Sequence, residues 1–185
     1  MSLVESTMLP LGTNAPNFHI KDVVSNNYYS FDDLRSDSAT VVMFICNHCP
    51  FVIHVNPEIV RIANDYKSKG VSFIAISSND VDNYPEDAPD KMSIVAKVLK
   101  FPFPYLYDKY QEVAKAYDAA CTPDFYVFNG ANKLTYRGRL DQSRPGNNIP
   151  LTGEDLRAAI DATINQKAIE DQYPSAGCNI KWKQP

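Results

Sequence analysis

The run Thr40-Val41-Val42-Met43-Phe44-Ile45 leads straight into Cys46-Asn47-His48-Cys49-Pro50, and an amphipathic segment follows. A short apolar, β-branched run bounded by turn chemistry is the pattern of a buried strand. Proline suits the first position of a helix, where its missing N–H costs nothing. The stretch therefore predicts a buried strand, a tight turn and a helix opening at Pro50, with Cys49 at or beside the N-cap. Unpaired amides and the positive end of the helix dipole favour an anion at that place. A cysteine so placed is lowered from about 8.5 into the ~3.5–7.5 range. Cys49 is thus expected to be a nucleophile at neutral pH.

Around this stretch the chain reads as alternating strands and helices. Ala15–Ile20 and Tyr28–Phe31 flank turn residues and suggest an N-terminal hairpin, followed by a short helical turn at Phe31–Leu34. Ile53, Ile59, Ile62, Ala63 and Tyr66 recur at helical spacing up to Gly70, and Pro57 interrupts that helix. Val71–Ser77 is a second buried strand. Ser78–Asp90 is a polar loop expected to cap a helix over Met92–Phe101. Phe101–Tyr107 is held extended by its prolines, and Gln111–Tyr117 is a short helix. Asp124–Phe128 and Leu134–Leu140 form an antiparallel pair across Asn129–Asn132. A last helix runs from Thr152-Gly153 to about Lys167. Residues 1–170 are expected to form one domain. Residues 171–185 lack periodicity but hold Cys178 and the only tryptophan, Trp182, which suggests a tail packed on that domain. Ser143-Arg144-Pro145-Gly146-Asn147 reads as a surface turn. This order gives an α/β fold: a three-layer arrangement with a central mixed sheet between helices and an N-terminal β-hairpin extension.

The net charge of −4 argues against nucleic acid or a membrane surface as partner. No stretch approaches the ~20 apolar residues of a membrane span. Met1 to Leu11 lacks a basic region followed by an apolar core, so the expected compartment is the cytoplasm. Four cysteines in 185 residues are too few for a disulfide scaffold, which points to chemistry or burial.

Three features resemble the thioredoxin superfamily: the cysteine at a helix start after a buried strand, the proline inside that helix, and Thr122-Pro123 opening a later strand. The blocks Cys-Asn-His-Cys-Pro-Phe, Ala-Cys-Thr-Pro-Asp-Phe, Ser-Arg-Pro-Gly-Asn and Gly-Cys-Asn-Ile-Lys-Trp resemble a peroxiredoxin-like, AhpC/TSA-type group of bacterial redoxins over nearly the whole chain. The resemblance implies a thioredoxin-like fold, a cis peptide at Thr122-Pro123 lying against the active cysteine, and thiol–disulfide chemistry. It implies a protein or small-molecule disulfide or peroxide as substrate, a thiol reductant, and no cofactor.

Two registers compete within that resemblance. Cys46-Asn47-His48-Cys49 matches the family's C-x-x-C by eye. In thioredoxins, however, the kinking proline lies eight residues after the attacking cysteine, and Pro57 is eight after Cys49 but eleven after Cys46. The preferred register makes Cys49 the attacker, with Val52 in place of the family's second cysteine. Resolution then falls to Cys46, next Cys121, then Cys178 on its tail. His48 is a candidate to donate to the Cys49 thiolate, and Thr122 and Pro123 would face the substrate sulfur. The acidic proton acceptor of thioredoxins corresponds to Met43 here. Peroxiredoxin chemistry fits less well, since Cys46 and Val42 stand where that family has threonine and proline. Arg137, Arg139 and Arg144 are spare, with surface or ion-pair roles expected. Two further readings are a thiol peroxidase with antioxidant activity and a redox-sensing or metal-binding fold. For metal, Cys46, His48 and Cys49 offer soft ligands, and His54 a fourth; their crowding leaves no metal site expected.

Overall fold

The computed structural model describes residues 3–184; Met1, Ser2 and Pro185 lie outside the described residues. In chain order the elements are β1 (Leu3–Glu5), β2 (His19–Asp22), β3 (Tyr28–Ser30), α1 (Phe31–Leu34), β4 (Ala39–Phe44) and α2 (Pro50–Lys67). Next come β5 (Val71–Ser77), α3 (Pro89–Val98), β6 (Tyr105–Tyr107), α4 (Glu112–Ala116) and β7 (Cys121–Thr122). The chain ends with β8 (Asp124–Asn129), β9 (Leu134–Gly138), α5 (Glu154–Ile164) and β10 (Ala176–Asn179).

Seven strands form the main sheet in the order β3-β2-β6-β5-β4-β8-β9. β4, β5 and β6 run parallel, while β8, β9 and the β2–β3 hairpin are antiparallel. β4 lies between β5 and β8, and all six of its residues are buried. Its alternate side chains feed two cores. Val41, Met43 and Ile45 pack with α2 and α5 on one face, through Val52, Ile59, Leu156 and Ile160. Val42 and Phe44 pack on the other face with Phe31 of α1 and Val113 and Ala114 of α4. A strand covered on both faces has no polar side to show, which is why its sequence runs apolar instead of alternating. This is the three-layer, thioredoxin-like arrangement expected, with the hairpin extending the sheet edge.

Helix boundaries shift where local backbone chemistry intervenes. α3 begins at Pro89, three residues before the expected start, because proline fits the first turn. It is over by Lys100, which takes φ +54°. α5 stops at Ile164, short of Lys167, and Gln166 beyond it takes φ +55°. Left-handed residues cannot continue a right-handed helix.

The residues read as an aperiodic tail carry a strand. β10 lies antiparallel between β1 and β7 in a second, three-stranded sheet, with Cys178 opposite Thr122. Only four residues long, it has too short an alternation to stand out in sequence. Trp182 is not the anchor of this segment, being 37% exposed; Ile180, 1% exposed, is buried instead. The backbone around it is tied in as well: Lys181 donates to Asn79 Oδ1 at 2.9 Å, and its carbonyl accepts from Gln111 Nε2 at 2.8 Å.

Gly177 sets how closely β10 approaches β7. A Cβ at this position would lie 2.0 Å from the Thr122 carbonyl oxygen. Backbone must move to admit even a methyl group, and overpacking of this kind costs about 1–3 kcal/mol. Gly177→Ala is therefore expected to lower the stability of the protein by that amount and to speed alkylation of Cys178 as β10 loosens. Thermal unfolding and peptide mapping check the two effects together; unchanged values for both would contradict the close approach.

Candidate active site

β4 ends at Phe44, and Ile45 makes one more bond to its neighbour strand, from its N–H to the Ile76 carbonyl at 3.0 Å. The chain then turns through Cys46-Asn47-His48 and enters α2 at Pro50, with Cys49 as N-cap at φ −71°, ψ 121°. The expected strand, turn and helix start are all present.

A residue distant in sequence shapes the turn. Asp87, fully buried, accepts through Oδ1 from the amides of Asn47 at 2.7 Å and His48 at 3.3 Å. Through Oδ2 it meets His48 Nδ1 at 2.6 Å and accepts from Asn79 Nδ2 at 2.8 Å. Asn47 adds a bond from Nδ2 to the Glu86 carbonyl and accepts from Tyr105 Oη at 3.2 Å. The loop before α3 was expected to cap that helix. It does not: the N-cap is Ala88, with no side-chain bond, because the carboxylate one residue earlier is committed to the cysteine turn. No sequence spacing pointed to Asp87; a Pro-flanked acid in a polar loop is the only trace it leaves.

The cis Thr122-Pro123 peptide lies against the cysteines. Cys46 Sγ is 3.5 Å from Thr122 Oγ1. Cys49, as a thiol, donates to the Thr122 carbonyl at 3.3 Å. A thiolate has no proton for that bond and needs donors. The Cys46 thiol is the strongest of them, and burial opposes it; the Cys178 thiol and the amides of Val52 and Cys178 add to it. The Val52 contact is looser than a formal capping bond, which Cys49 does not make. Together they hold the Cys49 thiol down at about 5. Its neighbours shift the other way. Cys46 is pushed well up, first by its bond to Cys49, then by burial and by the Asp87 charge. Cys178 rises to about 12, through burial and then Cys49. Cys121 rises beyond the ordinary thiol range by burial, and its thiol points to the carbonyls of Pro123 and Ser175, both at 4.0 Å. Groups in one site whose affinities for protons are driven apart mark distinct chemical roles.

The remaining candidates are placed as follows. His48 turns Nδ1 to Asp87 and stacks its ring on Tyr84 at 5.7 Å. His54 lies away from any ligand cluster, with Nε2 2.7 Å from Ser143 Oγ. Since that hydroxyl donates to the Ile149 carbonyl, His54 supplies the proton of the pair. The Ser143–Asn147 turn is thereby tied to α2. Arg139 pairs with Asp155 at 2.6 Å, as an ion-pair role predicts. Arg137 bonds the Leu9 carbonyl and Arg144 the carbonyls of Asp141 and Ser143. Asp124, next to Pro123, is a buried acid that the sequence reading did not single out. Burial pushes it up to about 7 against hydrogen bonds from Ser6 and Tyr126.

Cys46, His48 and Asp87 each bring one donor atom within 4.8 Å of the others. Both Asp87 oxygens are already met by four nitrogen groups, one of them His48 Nδ1 itself. The arrangement is a hydrogen-bonded acid–imidazole pair beside a buried thiol.

Residues 11–137 match the AhpC/TSA family. The chain belongs to the AhpC/TSA family. A thioredoxin-like redox role goes with that membership. The crystal structure of an uncharacterized conserved protein from Geobacillus kaustophilus is similar over 100% of this chain and 98% of its own, at 60% identity and a TM-score of 0.98. A hypothetical protein from Sinorhizobium meliloti is similar over 98% and 99% of the two chains, at 41% identity and a TM-score of 0.95. A secreted disulfide oxidoreductase of Mycobacterium tuberculosis shares the fold at 16% identity and a TM-score of 0.60, over 78% of this chain and 95% of its own. None of the curated proteins matches the chain. No helix among the described residues is long and apolar enough to cross a membrane.

Two measurements bear on this site. The rate of Cys49 alkylation by iodoacetamide should titrate with a midpoint near 5, flat above it and falling about tenfold per pH unit below it. Cys46→Ala should move the midpoint up more than Cys46→Ser, whose hydroxyl still donates. A midpoint between 8 and 9 in the intact protein would remove the thiolate. The same shift bears on stability. The folded value lies below the unfolded ~8.5, so ionisation of Cys49 favours the folded chain above that pH. This contribution is lost as pH falls towards about 5. Separately, Asp87→Ala leaves four donors unmatched. At ~1–3 kcal/mol for each that stays buried, a loss of several kcal/mol is expected in denaturant unfolding at neutral pH.

Proposed function

We propose that the protein is a thiol–disulfide oxidoreductase whose attacking group is the Cys49 thiolate. The observation that carries this reading is the placement of two thiols at one residue: Cys49 at the helix start lies 3.3 Å from the Thr122 carbonyl and Cys46 lies 3.5 Å from the Thr122 hydroxyl, with the Cys49 thiol lowered and that of Cys46 raised. Cys49 attacks one sulfur of a substrate disulfide. An S–S bond forms between Cys49 and that sulfur, and the other substrate sulfur leaves as a thiolate. Cys46 then loses its proton and attacks Cys49 Sγ. The Cys46–Cys49 disulfide forms and the second substrate thiolate departs. Two electrons pass from the protein's thiols to the substrate. His48, held by Asp87 and with a ring nitrogen within 4.8 Å of Cys46 Sγ, is the acceptor for its proton. That role replaces the acid absent at Met43. Thr122 meets both sulfurs, by its carbonyl and its hydroxyl, and so fixes where a substrate sulfur arrives. A thiol reductant, in the cytoplasm on this reading, returns the disulfide to the dithiol.

One observation favours a second reading, a peroxiredoxin-like thiol peroxidase. Cys49 is 0% exposed, so any substrate needs a local movement to reach it, and a small oxidant needs a lesser one than a protein disulfide. A hydroperoxide would then transfer one oxygen to Cys49, giving a sulfenic acid and an alcohol or water, and Cys46 would expel water from it. The arginines Arg137, Arg139 and Arg144 each already bond a carbonyl or a carboxylate, which weighs against this.

Cys49→Ser is expected to reduce turnover of a protein disulfide such as insulin to background. With Cys46 and Cys178 both replaced by serine, the first step should remain and a mixed disulfide should accumulate at Cys49. Consumption of hydrogen peroxide without any disulfide reduction would replace the first reading by the second. Full disulfide reductase activity in Cys49→Ser would sink both.

A further inference from the structure

Cys178 lies beyond the 11–137 segment that matches the family. β10 presents it to the active sulfur by two independent anchors. In the strand register Cys178 stands opposite Thr122, the residue whose carbonyl receives the Cys49 thiol at 3.3 Å. β10 also lies against α2, and Cys49 and Cys178 share one buried cluster. The approach is close because Gly177 has no Cβ to meet the Thr122 carbonyl. The thiol and the amide of Cys178 both help to lower the proton affinity of Cys49. Cys46 approaches from the turn beside the Thr122 hydroxyl, so Cys49 has a thiol neighbour on each of two separate elements.

We propose that Cys178 is a second resolving thiol of this site, closing a disulfide with Cys49 in competition with Cys46. The inference rests on the oxidoreductase reading of Cys49. After Cys49 has taken up a substrate sulfur, Cys178 loses its proton and attacks Cys49 Sγ. The Cys49–Cys178 bond forms, the bond to the substrate breaks, and the substrate thiolate leaves with the electron pair and takes up a proton. The same attack on a Cys46–Cys49 disulfide releases Cys46 as the thiol. Sheet pairing holds the attacking atom in place beforehand, which is the main advantage of an intramolecular step.

Local charge favours this route once Cys49 is consumed. The mixed disulfide carries no charge, so the shared cause that raised both neighbouring thiols disappears. Cys46 still faces the Asp87 carboxylate, which opposes its ionisation. Cys178 faces Lys181, whose ammonium favours it. Lys181 is held there by bonds to the Asn179 carbonyl and Oδ1 at 3.2 and 2.7 Å. The resulting disulfide would staple β10 to the head of α2. Trp182, the only tryptophan, lies four residues beyond and reports on that segment.

The test uses the full chain, reduced and then treated with oxidised glutathione. Wild type, Cys46→Ser, Cys178→Ser and the double variant are alkylated and mapped by mass spectrometry, with melting curves as a check on folding. Cys46→Ala replaces Cys46→Ser if the latter fails to fold. In the Cys46 variant a linked Cys49–Cys178 peptide pair is expected, with glutathione released from Cys49 about tenfold faster or more than in the double variant. Oxidation should also change Trp182 emission in the Cys46 variant and leave it unchanged when Cys178 is serine. Glutathione retained on Cys49 in the Cys46 variant, with Cys178 alkylated, overturns the inference and leaves the oxidoreductase reading standing. Absence of glutathione from Cys49 in every variant, including the double, overturns both.

Discussion

A buried thiolate survives only where protein donors replace the water it has lost, and the site is organised around meeting that need for Cys49. Helix α2 alone does not meet it, because the N-cap sulfur makes no formal capping bond. Two other thiols and the Cys178 amide complete the shell. The donors come from three pieces of chain: the turn after β4, the first turn of α2, and β10. The cost of burying one charge is thus offset by bringing three segments to one atom, and each segment is fixed by the layers behind it. On the proposed mechanism the two thiol donors are also the groups that react with that sulfur, so stabilisation and redox chemistry draw on the same contacts.

Behind the site stands β4. Buried on both faces, it can move to neither side, and the turn that leaves it is fixed at one end by the two cores. Asp87 fixes the other end. Four donors converge on one carboxylate, and a buried carboxylate is stable only when so provided. That network makes the turn rigid and sets a negative charge beside Cys46, which adds to the bond to Cys49 and to burial in raising the Cys46 thiol.

The second sheet is a smaller addition with a larger consequence. β1, β10 and β7 join the two ends of the described chain to the residues just before the cis peptide. Cys49 is fully buried with β10 lying beside it, so access to the sulfur and the position of the C-terminal segment are linked. The Ser143–Asn147 turn reaches the same helix through Ser143 and His54. α2 is therefore braced from two sides at the end that carries Cys49.

Much of the fold was legible in the linear sequence because its signals are local. The apolar run of β4, Pro50 at the helix start, Pro57 within the helix and the Thr122-Pro123 step each act over a few residues, through steric and hydrogen-bonding rules that need no partner. They located the cysteine turn and the N-cap sulfur. The strand at Ala176–Asn179 was not legible, since four residues give no periodicity and their pairing is with segments far away in the chain. Nor was Asp87, whose role depends on a loop folding back forty residues to meet the turn. His48 was legible as a neighbour of Cys49 but not in its direction, because only the placement of Asp87 decides where the ring turns. By itself the sequence determined the layers, the strand-to-helix junction and a cysteine poised at it. Only the tertiary structure decided which thiols surround that cysteine and which of them keeps its proton, because hydrogen bonds and charges act across space between residues that the sequence holds apart.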